Sequence, residues 1–281
     1  MTAVLAYIFF FVAATVSPLQ RRHQSRRTKT DPIVLAAWTQ AFVWVLGLSL
    51  LYKADISFSW SWHLIFLNAG LFICGPLFFY LSYNSQKHVD ATQSVVLSNI
   101  YTPVAIILAI LFLSETLTLQ QIMGAIILFI AMLIISIERA TSQSFRFSKY
   151  SIYMLSSGVF LGIILFLEKA TMNLIGNRVG IVVSWTAQTI GLLILAYALR
   201  GIHKLPTKRE IFTSGALRYA QQLSYVTLLI VVGNLALVAA VTTFKIVFIF
   251  LGAFVFLHEK EHLYRKFFGV VIAIVGLLLM K

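Results

Sequence analysis

The sequence is poor in charged residues and in cysteine. Only 11% of its residues are Asp, Glu, Lys or Arg, whereas soluble domains average about 25%. Because 60% of the residues are hydrophobic, an ordinary soluble fold is excluded and a membrane protein is indicated. The single cysteine, Cys74, excludes an internal disulfide and is too isolated to form a metal site.

The sequence also lacks the motifs of nucleotide-hydrolysing and proteolytic enzymes. It contains no G-x-x-x-x-G-K-[ST], G-x-S-x-G or H-E-x-x-H pattern and no cysteine cluster. His258, Glu259 and His262 lie in one basic loop, without the usual spacing of a closed zinc site. We therefore expect no enzymatic activity, no cofactor and no metal.

Apolar runs fill most of the chain. A helix needs about 20 apolar residues to cross a bilayer, and the sequence accommodates ten such spans with short links between them. We predict an all-α integral membrane protein. The ten predicted spans are at 3–18, 32–52, 62–83, two within 90–136, 151–169, 179–199, 214–232, and two within 234–280.

The stretch 90–136 recurs in pattern at 234–280. Each copy has two apolar spans joined by a polar link that contains a glutamate, Glu115 or Glu259. Aligning these glutamates also pairs Ala109 with Ala253, Phe112 with Phe256 and Leu113 with Leu257. A self-similarity of about half the chain length predicts two structural repeats.

The first copy resembles the EamA domain of the drug/metabolite transporter superfamily. The resemblance rests on a span with Pro103, the run LFLSE at 111–115, a short polar link, and Q-x-x-G before an apolar run. It extends over nearly the whole chain as two tandem copies. The second copy lacks the proline, with Val247 in its place, and has Lys245 where the first copy has Tyr101.

This resemblance implies a ten-helix transporter made of two inverted five-helix repeats. The repeats would cover 1–138 and 151–281, with a linker at 139–150, and an odd number of spans per repeat inverts the second copy. Spans 5 and 10 would be outer supports, and spans 1, 3, 4, 6, 8 and 9 would surround a central cavity. Gly269, Ala273 and Gly276 suit the close packing of span 10 in that role.

Most of the basic residues fall in links on one side of the ten spans, which we name the basic face. These links follow spans 1, 3, 5, 7 and 9. The positive-inside rule makes the basic face cytoplasmic and puts both termini outside the cytoplasm. The resemblance implies the reverse, with both termini inside, so the sequence leaves the orientation open.

Lys245 is the first candidate for substrate binding. It lies near the middle of span 9 in a run otherwise free of charge, and Thr242 and Gly252 are expected on the same helical face. An ionisable group at that depth indicates a substrate path. Its ammonium would bind an anionic group or gate the site. Alternatively, it extends to the nearer membrane surface or pairs structurally with Glu168.

Glu168 is the candidate for coupling transport to a proton gradient. It is adjacent to Lys169 near the predicted end of span 6. A carboxylate at that position could take up a proton. The alternative, favoured by the place near the end of a span, is a Glu–Lys pair at the membrane surface.

Span 4 carries a polar stripe. Ser94, Ser98 and Tyr101 follow i, i+4, i+7 spacing, and Asn99 lies beside them. Pro103 removes a backbone hydrogen bond and is expected to leave the Asn99 carbonyl free. We predict that the stripe lines a cavity; the alternative is hydrogen bonding between helices.

Span 7 contributes two further candidates, Trp185 and Gln188. An amide in a membrane span joins helices as often as it binds a ligand. The signature acids Glu115 and Glu259 are assigned a structural role, because an acidic residue at the start of the following helix is favoured by the helix dipole and by capping.

The sequence predicts a secondary transporter of an amino acid or organic anion in the plasma (inner) membrane. A second possibility is an exporter of amphipathic, aromatic or drug-like compounds, since 14% of the residues are aromatic. A third is a non-transporting scaffold or assembly protein, which would have no cavity around Lys245. The expected partners are a small-molecule substrate, the lipid bilayer and, as one option, a second copy in a homodimer. Nucleic acid is not expected, because the basic residues form short clusters between spans.

Overall fold

The computed structural model describes residues 3–27, 30–52, 54–56, 58–86, 88, 94, 97–136, 149–200, 206–256 and 263–280. These residues are almost entirely helical and include no strand. The helices, in chain order, are α1 Ala3–Arg27, α2 Pro32–Gly47, α3 Trp62–Gln86, α4 Tyr101–Phe112, α5 Leu119–Ser136, α6 Lys149–Ile175, α7 Asn177–Arg200, α8 Lys208–Val232, α9 Leu235–Thr242, α10 Lys245–Phe256 and α11 Leu263–Leu279. A 3₁₀ turn, Leu48–Leu51, follows α2.

Four helical segments in the described part are long and apolar enough to cross a membrane. They are Pro32–Leu51, Trp62–Gln86, Lys149–Ile175 and Asn177–Leu199. Shorter apolar segments lie at Val4–Ser17, Tyr101–Phe112, Leu119–Ala131, Leu235–Ile249 and Phe267–Leu279. The chain is therefore a helical membrane protein, and the predicted count of ten spans goes beyond what these lengths establish.

Polar residues determine several helix ends. The Asp31 side chain accepts a hydrogen bond from Ile33 N at the start of α2. Thr207 and Glu210 form a capping box at the start of α8. Gly233, with a φ of +77°, ends α8 in a left-handed conformation that favours glycine, so the chain can turn directly into α9.

Helix α6 is longer than the sequence predicts. It continues to Ile175 and is followed by Gly176, which has a φ of +88°. Glu168 and Lys169 are therefore inside the helix, and their side chains are only 5% and 7% exposed. The interpretation as a Glu–Lys pair at the membrane surface is wrong, because these charges do not end the helix.

Predicted spans 4 and 9 are both broken, at equivalent positions. Asn99 and Ile100 form a turn before α4, and Thr243 and Phe244 form a turn between α9 and α10. In the sequence alignment that pairs Glu115 with Glu259, these two turns fall at the same positions, and so do the last residues of α4 and α10. The expectation of one continuous span 9, with Thr242, Lys245 and Gly252 on a single face, is thus wrong.

The turn before α4 also corrects the expectation for the Asn99 carbonyl. Thr102 N donates a 3.0 Å hydrogen bond to Asn99 O. This bond takes the place of the one that Pro103, which has no N–H, cannot form. By contrast, α3 remains a continuous helix through Gly75 and Pro76.

The helices pack around a shared centre, with one pair apart from it. Helix α3 packs against α6 and α7, α2 against α7 and α8, α1 against α8, and α4 against α6 and α9. Helices α5 and α11 pack mainly against each other. A Cβ atom on Gly124 would lie 2.7 Å from the Gly276 carbonyl oxygen. Close approach of these two backbones therefore requires glycine in α5, as is usual in membrane helix packing.

Candidate functional site

A cavity of about 180 Å³ lies among the helices of both halves. Side chains from α1, α3, α4, α6, α7, α8 and α10 line it, together with Ser94 and Ser98, which precede α4. None of the described residues of α5 and α11 takes part. The charged lining residues are Glu168, Arg218 and Lys245. The chain therefore encloses a partly polar space at its centre, where charged groups are costly unless they have a role.

The cavity extends from the centre towards the basic face. Its lining includes Gln86 at the end of α3, Ser94, and Met154 near the start of α6. The rings of His88 and Tyr150 stack with centroids 3.8 Å apart, so the end of α3 and the start of α6 meet at this face. The lining of the cavity therefore reaches this end of α3 and α6.

Lys245 lines the cavity and contacts the opposite half of the chain. Its Nζ donates a 3.1 Å hydrogen bond to the Tyr101 hydroxyl and lies 4.6 Å from the centre of that ring. The Tyr101 hydroxyl also hydrogen-bonds Thr242 Oγ1 at 3.3 Å. Beside them, the hydroxyls of Thr102 and Thr243 are 2.9 Å apart. These bonds hold the start of α4 against the break between α9 and α10.

Glu168 lies on the α6 wall of the same cavity. Its Oε1 accepts a 2.8 Å hydrogen bond from Gln188 Nε2 on α7. Trp185 and Arg218 are also close enough to interact with this carboxyl group. The three predicted residues Glu168, Gln188 and Trp185 are thus brought together, although they come from two helices.

Arg218 is a site residue that the sequence reading missed. Its side chain is only 8% exposed, and its guanidinium carbon lies 4.4 Å from the centre of the Phe79 ring. Its Nε donates a 3.3 Å hydrogen bond to Gln40 Oε1. The available signal was a lone arginine inside the apolar run at 214–232. Cation–π stacking on Phe79 and the hydrogen bond to the Gln40 amide hold the Arg218 guanidinium at the cavity wall.

Two predicted substrate-binding residues do not line the cavity. Asn99 is fully buried, and neither atom of its side-chain amide has a hydrogen-bond partner in the described part of the chain. Thr242 is also fully buried and supports Tyr101 from behind. All three residues of the predicted stripe, Ser94, Ser98 and Tyr101, line the cavity, whereas Asn99 beside them does not.

At the face opposite the basic face, hydrogen bonds join the two halves of the chain. Both carboxylate oxygens of Glu115 accept hydrogen bonds from the first turn of α9, from Leu235 N at 2.9 Å and from Ala236 N at 2.8 Å. Asn234 Nδ2 donates a 3.3 Å hydrogen bond to Thr116 O. Glu115 is therefore a helix cap, as predicted, but for a helix 120 positions later rather than for the next one.

Some sequence predictions concern residues that the structure does not describe. Glu259, His258 and His262 belong to this group, as does the part of the predicted linker at 139–148.

Comparison with known proteins identifies a family and a fold. The sequence model described as the EamA-like transporter family matches residues 1–137. No curated protein matches the chain. Among solved structures, a crystal structure of a protein with 15% sequence identity covers 98% of this chain and 97% of its own, with a TM-score of 0.71. At that identity the likeness concerns the fold alone.

Proposed function

We propose that the chain is a secondary transporter of a small metabolite with an anionic group, because its residues 1–137 match the EamA-like transporter family of the drug/metabolite transporter superfamily. The single observation that carries the proposal is the partly buried Lys245 ammonium at the wall of a central cavity. A small organic acid would bind there through its carboxylate, since a partly buried cation that lines a cavity favours an anionic ligand.

An amino acid is the substrate type that the cavity suits best. Lys245 and Arg218 supply positive charge for a carboxylate, and the Glu168 carboxylate supplies negative charge for an ammonium. An amino acid carries both of these groups. The aromatic lining supports the second candidate, an exporter of flat or amphipathic compounds, through Phe10, Phe78, Trp185 and Tyr225.

The proposed architecture is ten helices in two inverted repeats, at 1–138 and 151–281, with a linker at 139–150. Three observations support it. The two broken helices coincide when the halves are aligned, the α5–α11 pair lies apart from the cavity, and the solved structure of matching fold covers almost the whole chain. Discontinuous helices at corresponding positions of two halves are typical of the binding sites of such transporters.

The proposed mechanism is alternating access, with the halves rocking around the cavity. In support, the lining of the cavity reaches the basic face, and the contact of Glu115 with α9 joins the halves at the other face, which we take to be the closed face. Glu168 would couple transport to a proton gradient, because it is a carboxyl group buried beside the proposed substrate site. We place the protein in the plasma membrane, with the basic face cytoplasmic by the positive-inside rule.

A ligand screen tests the proposal. Purified protein in detergent is heated with amino acids, organic acids, sugar phosphates, nucleosides and cationic dyes, and the unfolding temperature is measured. We expect one anionic or zwitterionic class to raise it, through binding to the folded state, and we expect Lys245→Met to lose this effect. The matched control is Lys208→Met, which removes an exposed lysine at the start of α8 and is expected to keep it. Equal stabilisation of all three proteins would refute the role of Lys245.

A further inference from the structure

We infer that Glu115 is the latch of the closed face and that α9 links this latch to the substrate site. The inference rests on the proposed alternating-access function, because a latch matters only if the face also opens. It assigns to Glu115 a positioning role in transport, which goes beyond the stabilisation of a local helix end.

The contact between Glu115 and α9 joins the two halves of the chain. The Glu115 carboxylate faces the N-terminus of α9, and each of its oxygens accepts one backbone hydrogen bond, from Leu235 or Ala236. A bidentate, charge-assisted contact at the positive end of a helix dipole is among the stronger polar contacts available. Because the carboxylate and the helix belong to different halves, the contact can exist only while the halves are together at this face.

The backbone around Glu115 fixes its direction. Ser114 has a φ of +55°, the only positive φ of a non-glycine residue in the described part of the chain. The N–H of Glu115 donates to Ala109 O at 3.3 Å, which turns the link back onto the end of α4. A left-handed conformation costs a non-glycine residue about 1 kcal/mol. This cost at Ser114 is consistent with a backbone held in the conformation that directs the Glu115 side chain towards α9.

The other end of α9 is held by the same segment of the first half. At its C-terminal end, Thr242 hydrogen-bonds the Tyr101 hydroxyl, and Thr243 hydrogen-bonds Thr102. The helix has eight residues and is therefore about 12 Å long. Segment 101–116 thus clamps a short, rigid helix at both ends.

Only one of the two clamps can sense the substrate. Tyr101 and Lys245 line the cavity, whereas Glu115 does not. An anionic group that binds Lys245 competes with the Tyr101 hydroxyl for its ammonium. Loss of the Lys245–Tyr101 hydrogen bond changes the contact between Tyr101 and the C-terminal end of α9. Because α9 is short, we expect this change to weaken the contact between Glu115 and its N-terminal end.

Cysteine labelling tests the latch without knowledge of the substrate. In a Cys74→Ser background, Ser98→Cys places a thiol in the cavity wall, and Ser59→Cys reports which side of the membrane is opposite the basic face. A membrane-impermeant maleimide is applied to each side of membrane vesicles of known sidedness. The measured quantity is the rate of Ser98→Cys labelling from the face opposite the basic face.

We expect Glu115→Ala to raise this rate about tenfold. The variant loses two charge-assisted hydrogen bonds to the α9 backbone, and water replaces them at the freed N–H groups. Glu115→Gln retains one acceptor oxygen and is expected to give a smaller increase. The matched control is Glu210→Ala, since Glu210 caps its own helix at the basic end of α8, and it should leave the rate unchanged. The melting temperature of each variant shows whether it is folded; if Glu115→Ala does not fold, Glu115→Gln decides the question.

The outcomes separate the latch from the transport mechanism. If the parent protein and the Glu115 variants are labelled from that face at equal, measurable rates, alternating access stands and the latch is refuted. If none of them is ever labelled from that face, both ideas fail. Linkage through α9 predicts that Tyr101→Phe combined with Glu115→Ala raises the rate by less than the product of the two single effects. If the rate of the double variant rose by the product of the two single effects, the proposed linkage through α9 would be refuted.

Discussion

Lys245 and Tyr101 hold the same position in the two halves of the chain, and each contacts the other at the centre. Each is the first residue of a half-helix that follows a break, and the Lys245 ammonium lies 3.1 Å from the Tyr101 hydroxyl. One half therefore supplies a cation and the other a phenol at equivalent places. Two residues that align in sequence therefore differ in charge, so the two halves of the chain contribute different chemistry to the site.

Glu168→Gln tests the proposed coupling of transport to protons. Glutamine has nearly the same shape and can still accept the hydrogen bond from Gln188, but it cannot release a proton. We expect uptake driven by a pH gradient to fall at least tenfold, while exchange of substrate without a gradient falls less, through the loss of the charge that faces the substrate ammonium. Proteoliposome assays measure both activities.

The control for this prediction is Glu210→Gln, at the start of α8 on the basic face. It should alter neither activity. If Glu168→Gln lost gradient-driven uptake and exchange equally, Glu168 would only bind the substrate and would not couple its transport to protons.

Arg218 is expected to strengthen the binding of anionic ligands. Removing its charge with Arg218→Gln should weaken binding about tenfold, which corresponds to about 1.4 kcal/mol. Arg218→Lys keeps the charge but loses the planar stacking on Phe79, so we expect an intermediate affinity. Titration calorimetry with a stabilising ligand from the screen gives the three values. Unchanged affinity in Arg218→Gln would restrict Arg218 to a structural role.

Gly158→Ala should destabilise the contact between α6 and the broken span 4. A Cβ atom there would lie 2.5 Å from Ser98 O and from Ile100 Cγ2, so backbone must move. We expect a loss of about 1–3 kcal/mol in stability, as for an overpacked core. Val159→Ala, at a more exposed neighbouring position, should cost less than about 1 kcal/mol. Urea unfolding in detergent compares them, and equal stabilities would contradict the close packing.

Gly124→Ala tests whether α5 and α11 support the fold without taking part in binding. The added methyl group would crowd the Gly276 carbonyl and Met280. We expect a lower unfolding temperature but an unchanged ligand dissociation constant. Ile126→Ala, at a position exposed on the same helix, is the control for stability. A clear change in affinity would show that this pair contributes to the site.

The sequence predicted most of the helices and much of the cavity wall, because both depend on local signals. Apolar runs gave the helices, and the depth of Lys245 in such a run indicated a central site. Polar residues at helical spacing identified Ser94, Ser98 and Tyr101. The family resemblance was confirmed for residues 1–137.

The remaining features depend on contacts that are distant in sequence. Glu168 was predicted to lie near the end of span 6, because nothing local indicates that α6 continues to Ile175. Arg218 was missed because its partner Phe79 is on another helix, far away in the chain. Similarly, the cap on α9 pairs Glu115 with Leu235, 120 positions apart. Local patterns carry no information about such pairs.

Uptake by reconstituted protein is the measurement that tests the central claim most directly. Proteoliposomes containing the parent protein, Lys245→Met or Lys208→Met are given each labelled compound of the screening panel. We predict that the parent protein and Lys208→Met take up one class of anionic or zwitterionic metabolite, and that Lys245→Met does so at least tenfold more slowly. If the parent protein transports no class faster than protein-free liposomes, the chain is not the metabolite transporter proposed.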